Sequence, residues 1–430
     1  MKLVKPIILF LVLIFASTVF SQESENTTEN EEAEIEITDQ NEESIESEVE
    51  KLIADSEAKA EKSNGTDDPN SASRNSRLVP LSRRTGFMID RSSVPDTFVA
   101  LDLVAENDLS STQRETSNSI DVREIEFGFS GYIDWFASAN VLFALHRENH
   151  GANAGEYIFD IHEAFIELYA LPSNFRARIG RMFFDAGRLN GVHRHDWHFT
   201  NAPVIHKEVF NDTFVGEGAA DTGIELSYLM PWDFFQELKV GVFRGRVFGH
   251  SHGDGSEKPA PLWTSRLKQF IPITGNWGTE FGFTYMRYHP TTNAQDIDQI
   301  FGSDFTVRWF ASRIYMFTWS SEFWYKYQQI NNAEPTIKQG FYSYVDFLFM
   351  QNYSVGYRFD YYSDELRALK LNRSYIGQSF WFTWRPSEFS YYRVNYEIKD
   401  YNQYENIIGT NHVIYVQGVF MLGVHPPHRY

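Results

Sequence analysis

Between residues 96 and 422 apolar and polar side chains alternate with a period of two in about sixteen separate segments. In SYYRVNYEIKD (390–400), Tyr392, Val394, Tyr396 and Ile398 fall on one side, with Tyr391, Arg393, Asn395, Glu397 and Lys399 on the other. SVGYRFDYY (354–362) sets Val355, Tyr357, Phe359 and Tyr361 against Gly356, Arg358, Asp360 and Tyr362. SDFTVRWF (303–310) and ELKVGV (237–242) alternate in the same way. Successive side chains of a strand face opposite sides, so each segment reads as a strand with one apolar and one polar face.

The connections alternate as well. Short turns fall at 133–138, 171–174, 231–234, 274–277, 351–354 and 386–390. Longer polar stretches lie between them, at 149–155, 185–221, 248–261, 290–302, 328–338, 363–374 and 401–409. Short turns on one rim and long loops on the other are the signature of a transmembrane antiparallel β-barrel. An even strand count returns the C-terminus to the short-turn side, where Trp135, Trp232, Trp277 and Phe389 would form an aromatic girdle. A soluble β-sandwich or β-helix would explain the strands, but not the girdle, the loop asymmetry and the leader together.

The leader is residues 1–21. Lys2 and Lys5 precede the apolar run PIILFLVLIFA (6–16), and small residues follow where a peptidase could cut. The run is short for a spanning helix, which needs about 20 apolar residues. It therefore reads as an export signal, with an uncleaved anchor as the alternative. With no cysteine, an exported chain has neither a disulfide scaffold nor a thiolate metal site. Aromatics at 16% suit a chain whose rings meet a membrane boundary.

Residues 22–85 are acidic and of low complexity. Between Glu23 and Asp68, eighteen acids face Lys51, Lys59 and Lys62, so this stretch carries most of the formal charge of −20. Such a composition cannot bury enough apolar surface to fold alone, and a disordered periplasmic spacer is expected. Ile45, Val49 and Leu52 leave a short helix open as the alternative. No basic footprint for nucleic acid is present. The barrel proper is assigned to 86–430.

Inside a membrane barrel every backbone group is paired, and the polar face of each strand lines the interior. That rule turns Arg176, Arg178, Glu225, Lys239, Arg308, Arg358, Asp360, Arg393, Glu397 and Lys399 inward as pore-lining residues, with Glu124, Glu126, Glu237 and Asp304. Both signs occur, so either a transverse field or charge pairs between neighbouring strands fits. About 16 strands enclose a water-wide bore.

The connection 185–221 is the longest, and loops of that length are usually functional or disordered. It contains GRLNGVHRHDWHF (187–199). In extended backbone His193 and His195 would share a face, with Asp196 opposite. Imidazoles suit zinc, copper or nickel, and His198, His206, His250 or His252 are candidates to complete a site with them. The competing reading has these histidines hydrogen-bonding within the loop beside Trp197 and Phe199. Asp196 beside His195 invites a catalytic reading too, but no H-E-x-x-H motif occurs, and an enzyme is not expected.

The block HEAFIELYALPSNFRARIGRMFFDAGRLNGVHRHDWHF (162–199), then Asn201, Pro203 and Val204, GEGAADTGIELSYLMP (216–231) and the ending GVHPPHRY (423–430) resemble a family of Gram-negative outer-membrane barrels labelled zinc-regulated or porin-like. The recurring elements of that family fall on Arg188, Leu189, Asn190, His193, His195, Trp197, Glu217, Gly218, Asp221 and Gly223. The resemblance implies a porin-like or uptake barrel in the outer membrane. Some members carry the label of TonB-dependent receptors. Only about 75 disordered-looking residues precede this barrel, which leaves no room for a folded plug, and about 330 barrel residues cannot make 22 strands.

The expectation is an all-β, transmembrane antiparallel barrel of about 16 strands in the outer membrane. It would pass small solutes or ions by diffusion, with loop 185–221 narrowing the bore and Arg188, Asn190, His193, His195, Trp197, Glu217 and Asp221 shaping the constriction. Lipid and the barrel-assembly machinery are its expected partners, and a homotrimer is a candidate assembly. The alternative is a surface metal-binding receptor or uptake barrel using the histidine loops for zinc or copper, with no other cofactor expected.

Overall fold

The computed structural model describes residues 95–109, 118–147, 156–210, 218–245, 261–289, 296–312, 314–330, 333–366, 371–404 and 407–423. The leader, the acidic segment 22–85, Glu217, His250 and His252 lie outside them.

Sixteen strands are present: β1 (Asp96–Asp108), β2 (Asn118–Asp134), β3 (Ala137–Arg147), β4 (Tyr157–Leu168), β5 (Phe175–Phe183), β6 (Ala220–Leu229), β7 (Phe235–Phe243), β8 (Leu262–Thr274), β9 (Trp277–Tyr288), β10 (Ile297–Ser312), β11 (Tyr315–Gln329), β12 (Thr336–Phe349), β13 (Tyr353–Leu366), β14 (Leu371–Ser387), β15 (Ser390–Tyr404) and β16 (Ile407–Gly423). Each pairs antiparallel with its chain neighbours, and β1 pairs with β16 from Phe98↔Gly423 to Asp108↔Val413, closing the barrel. Closure pairs the edges that an open sheet would expose. No helix among the described residues is long and apolar enough to cross a membrane, so any crossing is made by strands.

The alternation holds at side-chain level. On β15, Arg393, Asn395 and Glu397 are buried while Tyr392 and Val394 are exposed. On β13, Arg358, Asp360 and Tyr362 are buried and Val355 is exposed. Outward positions such as Ile224, Leu226, Phe283, Phe301, Phe323 and Phe380 form an apolar outer surface, the reverse of a water-soluble barrel. Trp135, Trp232, Trp277 and Phe389 are all exposed at the short-turn rim.

The strands run further toward the other rim than the alternation suggested. The long polar stretches expected at 363–374 and 401–409 are mostly strand, since β13 ends at Leu366, β14 starts at Leu371, β15 ends at Tyr404 and β16 starts at Ile407. Ladder hydrogen bonds are indifferent to side-chain polarity, so strands continue where the alternation has already faded. The seventh short turn, between Ser312 and Tyr315, carries no turn signature that set it apart in the sequence.

Of the register shifts between neighbouring strands, two β-bulges, on β2 and β4, bear on the interior. Asp102 pairs with Glu124 and Leu103 with Val122, leaving Arg123 as the extra residue on β2. Leu142 pairs with Glu163 and Phe143 with Ile161, leaving His162 extra on β4. A bulge re-aims the side chains around it. Here both His162 and Glu163 are buried in succession, which a regular strand would not allow.

Candidate functional site: a folded loop inside the barrel

β4 and β5 pair only from Ala164↔Arg181 to Leu168↔Ala177. Beyond that point β5 leaves the wall. Where the edges part, Arg181 Nε donates to the Ile161 carbonyl (2.7 Å), and the Phe183 N–H donates to the Glu163 carboxylate (3.1 Å). The chain then enters the interior and returns at Ala220. Of residues 184–210, only Gly191 and Lys207 are exposed, so this connection is a packed insert.

Asn190 pins the insert to itself. Its amide donates to the carbonyls of Phe184 (2.9 Å) and Ala219 (3.1 Å), and its side-chain oxygen accepts the Ala219 N–H (2.7 Å). One side chain therefore ties the outgoing and returning ends together. Trp197 Nε1 donates to the Val192 carbonyl (2.8 Å), closing a second internal turn.

The wall holds the insert from many directions. Glu322 on β11 accepts the N–H groups of Arg188 (2.7 Å) and Leu189 (2.8 Å). Arg393 on β15 donates to the Trp197 carbonyl (2.7 Å) and Tyr391 to that of His195 (2.6 Å). Arg358 on β13 donates to the Asn201 carbonyl (2.6 Å) and lies 4.2 Å from the Phe199 ring centre. Arg123, the bulge residue, donates to the Thr200 carbonyl (2.7 Å) and to Asp102 (2.9 Å). A short helix, α1 (Val204–Phe210), presents Glu208 to Lys338 (2.6 Å), Tyr404 (2.6 Å) and Tyr362 (3.3 Å).

Electrostatics favour the docked loop. Burial alone would raise the Asp185 carboxyl, but Lys239, Arg266 and Lys268 outweigh it and hold it well below the usual carboxylate range. Glu208 is also lowered, because Lys338 and the two tyrosine hydroxyls overcome its burial. Arg266 Nε lies 3.0 Å from Asp185, while its other nitrogens bond Asp304 at 2.7 and 3.1 Å.

One flank of the insert is aromatic. Phe199 sits with its centre 5.5 Å from Tyr344, 5.9 Å from Trp381 and 6.3 Å from Tyr342, all at steep angles that suit edge-to-face contact. Phe210 meets Trp324 edge-on at 5.1 Å. The opposite flank is polar and faces β2 and β4, where His193 Nδ1 lies 2.9 Å and His195 Nδ1 3.2 Å from the Glu126 carboxylate.

Among the inward residues expected from the sequence, most are met by an opposite charge. Arg178 bonds Glu225 (2.7 Å), Arg358 bonds Asp360 (2.9 Å), Lys399 faces Glu397 (3.3 Å) and Lys239 meets Asp185. At these positions neighbouring charges pair. Arg393 instead spends its guanidinium on Thr383, Gln417 and the loop. Arg308 is half-buried on the Asp304 face of β10, and Arg176 is exposed on the Arg178 face of β5. Asp221 lies on β6, at the foot of the insert, and accepts the N–H groups of Thr222 and Gly245 (2.7 Å each).

The histidines divide differently from the expectation. Arg194–Asp196 form a 3-10 turn rather than extended chain, yet His193 and His195 stay side by side with rings 5.8 Å apart and nearly parallel. His198 turns away to Asp346 (3.5 Å) and stacks near Tyr344. His206 is fully buried between Trp197 and Phe210, with no hydrogen-bond partner among the described residues, and burial aided by Lys207 pushes its imidazole down to about 3. Neither joins His193 and His195. Among the described residues, the potential ligand atoms that gather within 4.8 Å belong to Glu126, His162 and His193. His162 and Glu322 were not singled out in the sequence. A bulge and a contact 134 residues away in the chain bring them here. The string GHSHG (249–253) has the spacing G-x-S-x-G, but that pattern marks a nucleophile only on a strand-to-helix turn. Here it lies between two antiparallel strands, outside the described residues.

No family model matches the chain. An uncharacterized protein of Aquifex aeolicus is 24% identical over 302 residues, a stretch that makes up 63% of this chain and 63% of the relative. Solved structures that share the fold include OprB of Pseudomonas putida (TM-score 0.54, 8% identity, 76% of this chain and 94% of that one). The outer-membrane channel DcaP of Acinetobacter baumannii is similar (TM-score 0.53, 9% identity, 76% and 97%). So is Salmonella typhi OmpF (TM-score 0.52, 12% identity, 76% and 97%). The chain has the sixteen-stranded fold of these outer-membrane barrels.

Proposed function

We propose that the protein spans the outer membrane of a Gram-negative bacterium as a porin-like channel, with the loop 185–221 as its constriction. Solutes would pass by diffusion through the polar space between the folded insert and the wall. One observation carries the reading: a closed barrel with an apolar exterior and charged interior holds a packed insert that the wall grips by backbone and side chain. The long connections would face outside and the short turns the periplasm, where the leader-processed acidic segment would also lie. A homotrimer is the assembly to look for, since one similar structure, OmpT of Vibrio cholerae, is described in a trimer form (TM-score 0.50, 7% identity). Likeness to a solved outer-membrane channel favours transport over catalysis.

Swelling of liposomes that contain the purified protein tests this. Small sugars should enter, larger oligosaccharides should be excluded, and shortening the insert should admit the excluded ones. No swelling with any solute, before and after shortening, would overturn the channel reading.

A further inference from the structure

The polar flank of the insert carries chemistry that the channel reading does not use. Three imidazole Nδ1 atoms converge on one fully buried carboxylate: that of His193 is 2.9 Å and that of His162 3.5 Å from Glu126 Oε1, while that of His195 is 3.2 Å from Oε2. Glu124, Glu163 and Asp196 also approach these imidazoles, at 3.6 Å from His162, 3.9 Å from His193 and 3.7 Å from His195, so imidazole and carboxylate donors are mixed in one buried cluster. The neutral imidazole is the form that binds metal.

We propose that Glu126, His162 and His193 bind one divalent transition-metal ion of borderline softness, and that the ion staples the insert to the barrel wall. A tetrahedral shell with bonds of about 2.0–2.1 Å puts neighbouring donor atoms about 3.3 Å apart. The nitrogen-to-oxygen spacings of 2.9 and 3.5 Å bracket that value, and one donor from each of the three residues lies within 4.8 Å of the others. Two imidazoles and a carboxylate suit zinc, nickel or copper, whereas calcium and magnesium take oxygen donors.

The surroundings are those of a built site. Glu124 Oε1 lies 3.6 Å from His162 Nδ1, beside a fourth position that it or water can fill. His195, on the far oxygen of Glu126, orients the carboxylate as outer-shell partners of metal ligands do. The Phe183 ring stands edge-on to both His162 (6.2 Å) and His193 (5.4 Å) and shields them. His162 faces inward because it is the bulge residue of β4, and His193 arrives on the insert, so an ion here would cross-link two parts of the fold.

The test uses the full chain folded in detergent, stripped with a chelator and titrated with Zn2+ by calorimetry. One equivalent per chain should bind, with no comparable heat from Ca2+ or Mg2+. Glu126→Gln, His162→Ala and His193→Ala should each weaken binding more than tenfold, and His195→Ala less than these. The double variant His250→Ala/His252→Ala should bind as the parent does. Because a wall variant could fail to fold, Co2+ is added to the parent protein, where visible bands of four-coordinate nitrogen and oxygen ligation should appear and vanish on adding Zn2+. The proposal is overturned if the parent binds no Zn2+ and shows no such bands. It is equally overturned if folded His162→Ala and His193→Ala proteins bind unchanged, or if binding is lost in the His250/His252 variant. None of these readouts depends on conduction, so the outcome stands apart from that of the channel reading.

Discussion

Gly187→Ala should release the insert without unfolding the barrel. Gly187 has φ of +63°, in the left-handed region. An added Cβ would stand 2.5 Å from the Trp324 ring and 2.6 Å from Glu322 Oε2. Neither neighbour can yield easily. Trp324 is fully buried, packed against Phe210 and bonded through Nε1 to Glu322 (3.0 Å), and Glu322 holds the N–H groups of Arg188 and Leu189. A left-handed conformation costs an L-residue about 1–2 kcal/mol. Overpacking adds about 1–3 kcal/mol. The total of about 2–5 kcal/mol falls on the docked insert, while the strand pairing is untouched. At the low end that shifts the docked-to-released ratio by about 30-fold. Trypsin reads the shift, because Arg194 is buried in the docked insert and its cleavage tracks the open population when closing is fast. Cleavage near residue 194 should accelerate about 30-fold or more in a variant whose barrel still migrates as folded. An unchanged cleavage rate in Gly187→Ala would refute the claim that this turn locks the insert.

Three further outcomes follow from the same contacts. Asn190→Ala removes three hydrogen bonds, leaving the Phe184 and Ala219 carbonyls their bonds from the Ala186 and Phe184 N–H groups but the Ala219 N–H without its partner, and at about 1 kcal/mol each should cost about 3 kcal/mol, seen as faster proteolysis of the insert. Arg393→Met removes a charged donor from the Trp197 carbonyl and should cost the docked state about 1.5–3 kcal/mol by the same assay, with strand content unchanged in circular dichroism. Acid should loosen the insert. Asp185, His206 and Glu208 all have folded values below their ordinary ones, so each contribution is complete above its ordinary value and fades as pH falls toward the folded one. For His206 that window runs from 6.5 down to about 3, and His206→Phe should shift the loosening, followed by proteolysis at graded pH, to lower pH. Tightening on acidification would contradict this sign.

The barrel was legible because the pattern that defines it is local. Period two, turn spacing and the apolar outward face are written in each strand, and the buried Arg358, Asp360 and Arg393 sit where alternation puts them. The insert was legible through its length. Its anchors were not, because they depend on register and on departures from it. Alternation alone cannot turn both His162 and Glu163 inward; the bulge opposite Leu142 and Phe143 does. Arg123 reaches Thr200 for the same reason. Likewise the run of four loop histidines looked like one ligand set. A 3-10 turn and the aromatic flank divide it, sending His198 to Asp346 and sealing His206 among rings, while wall residues take their place beside His193.

Single-channel conductance in planar bilayers, compared between the parent chain and a variant in which residues 188–216 are replaced by a short linker, tests the constriction most directly. The parent should give small, steady steps, and the shortened insert steps several-fold larger, as expected when the bore of a sixteen-stranded barrel is opened. Equal steps from the two proteins, or none from either, would contradict the account.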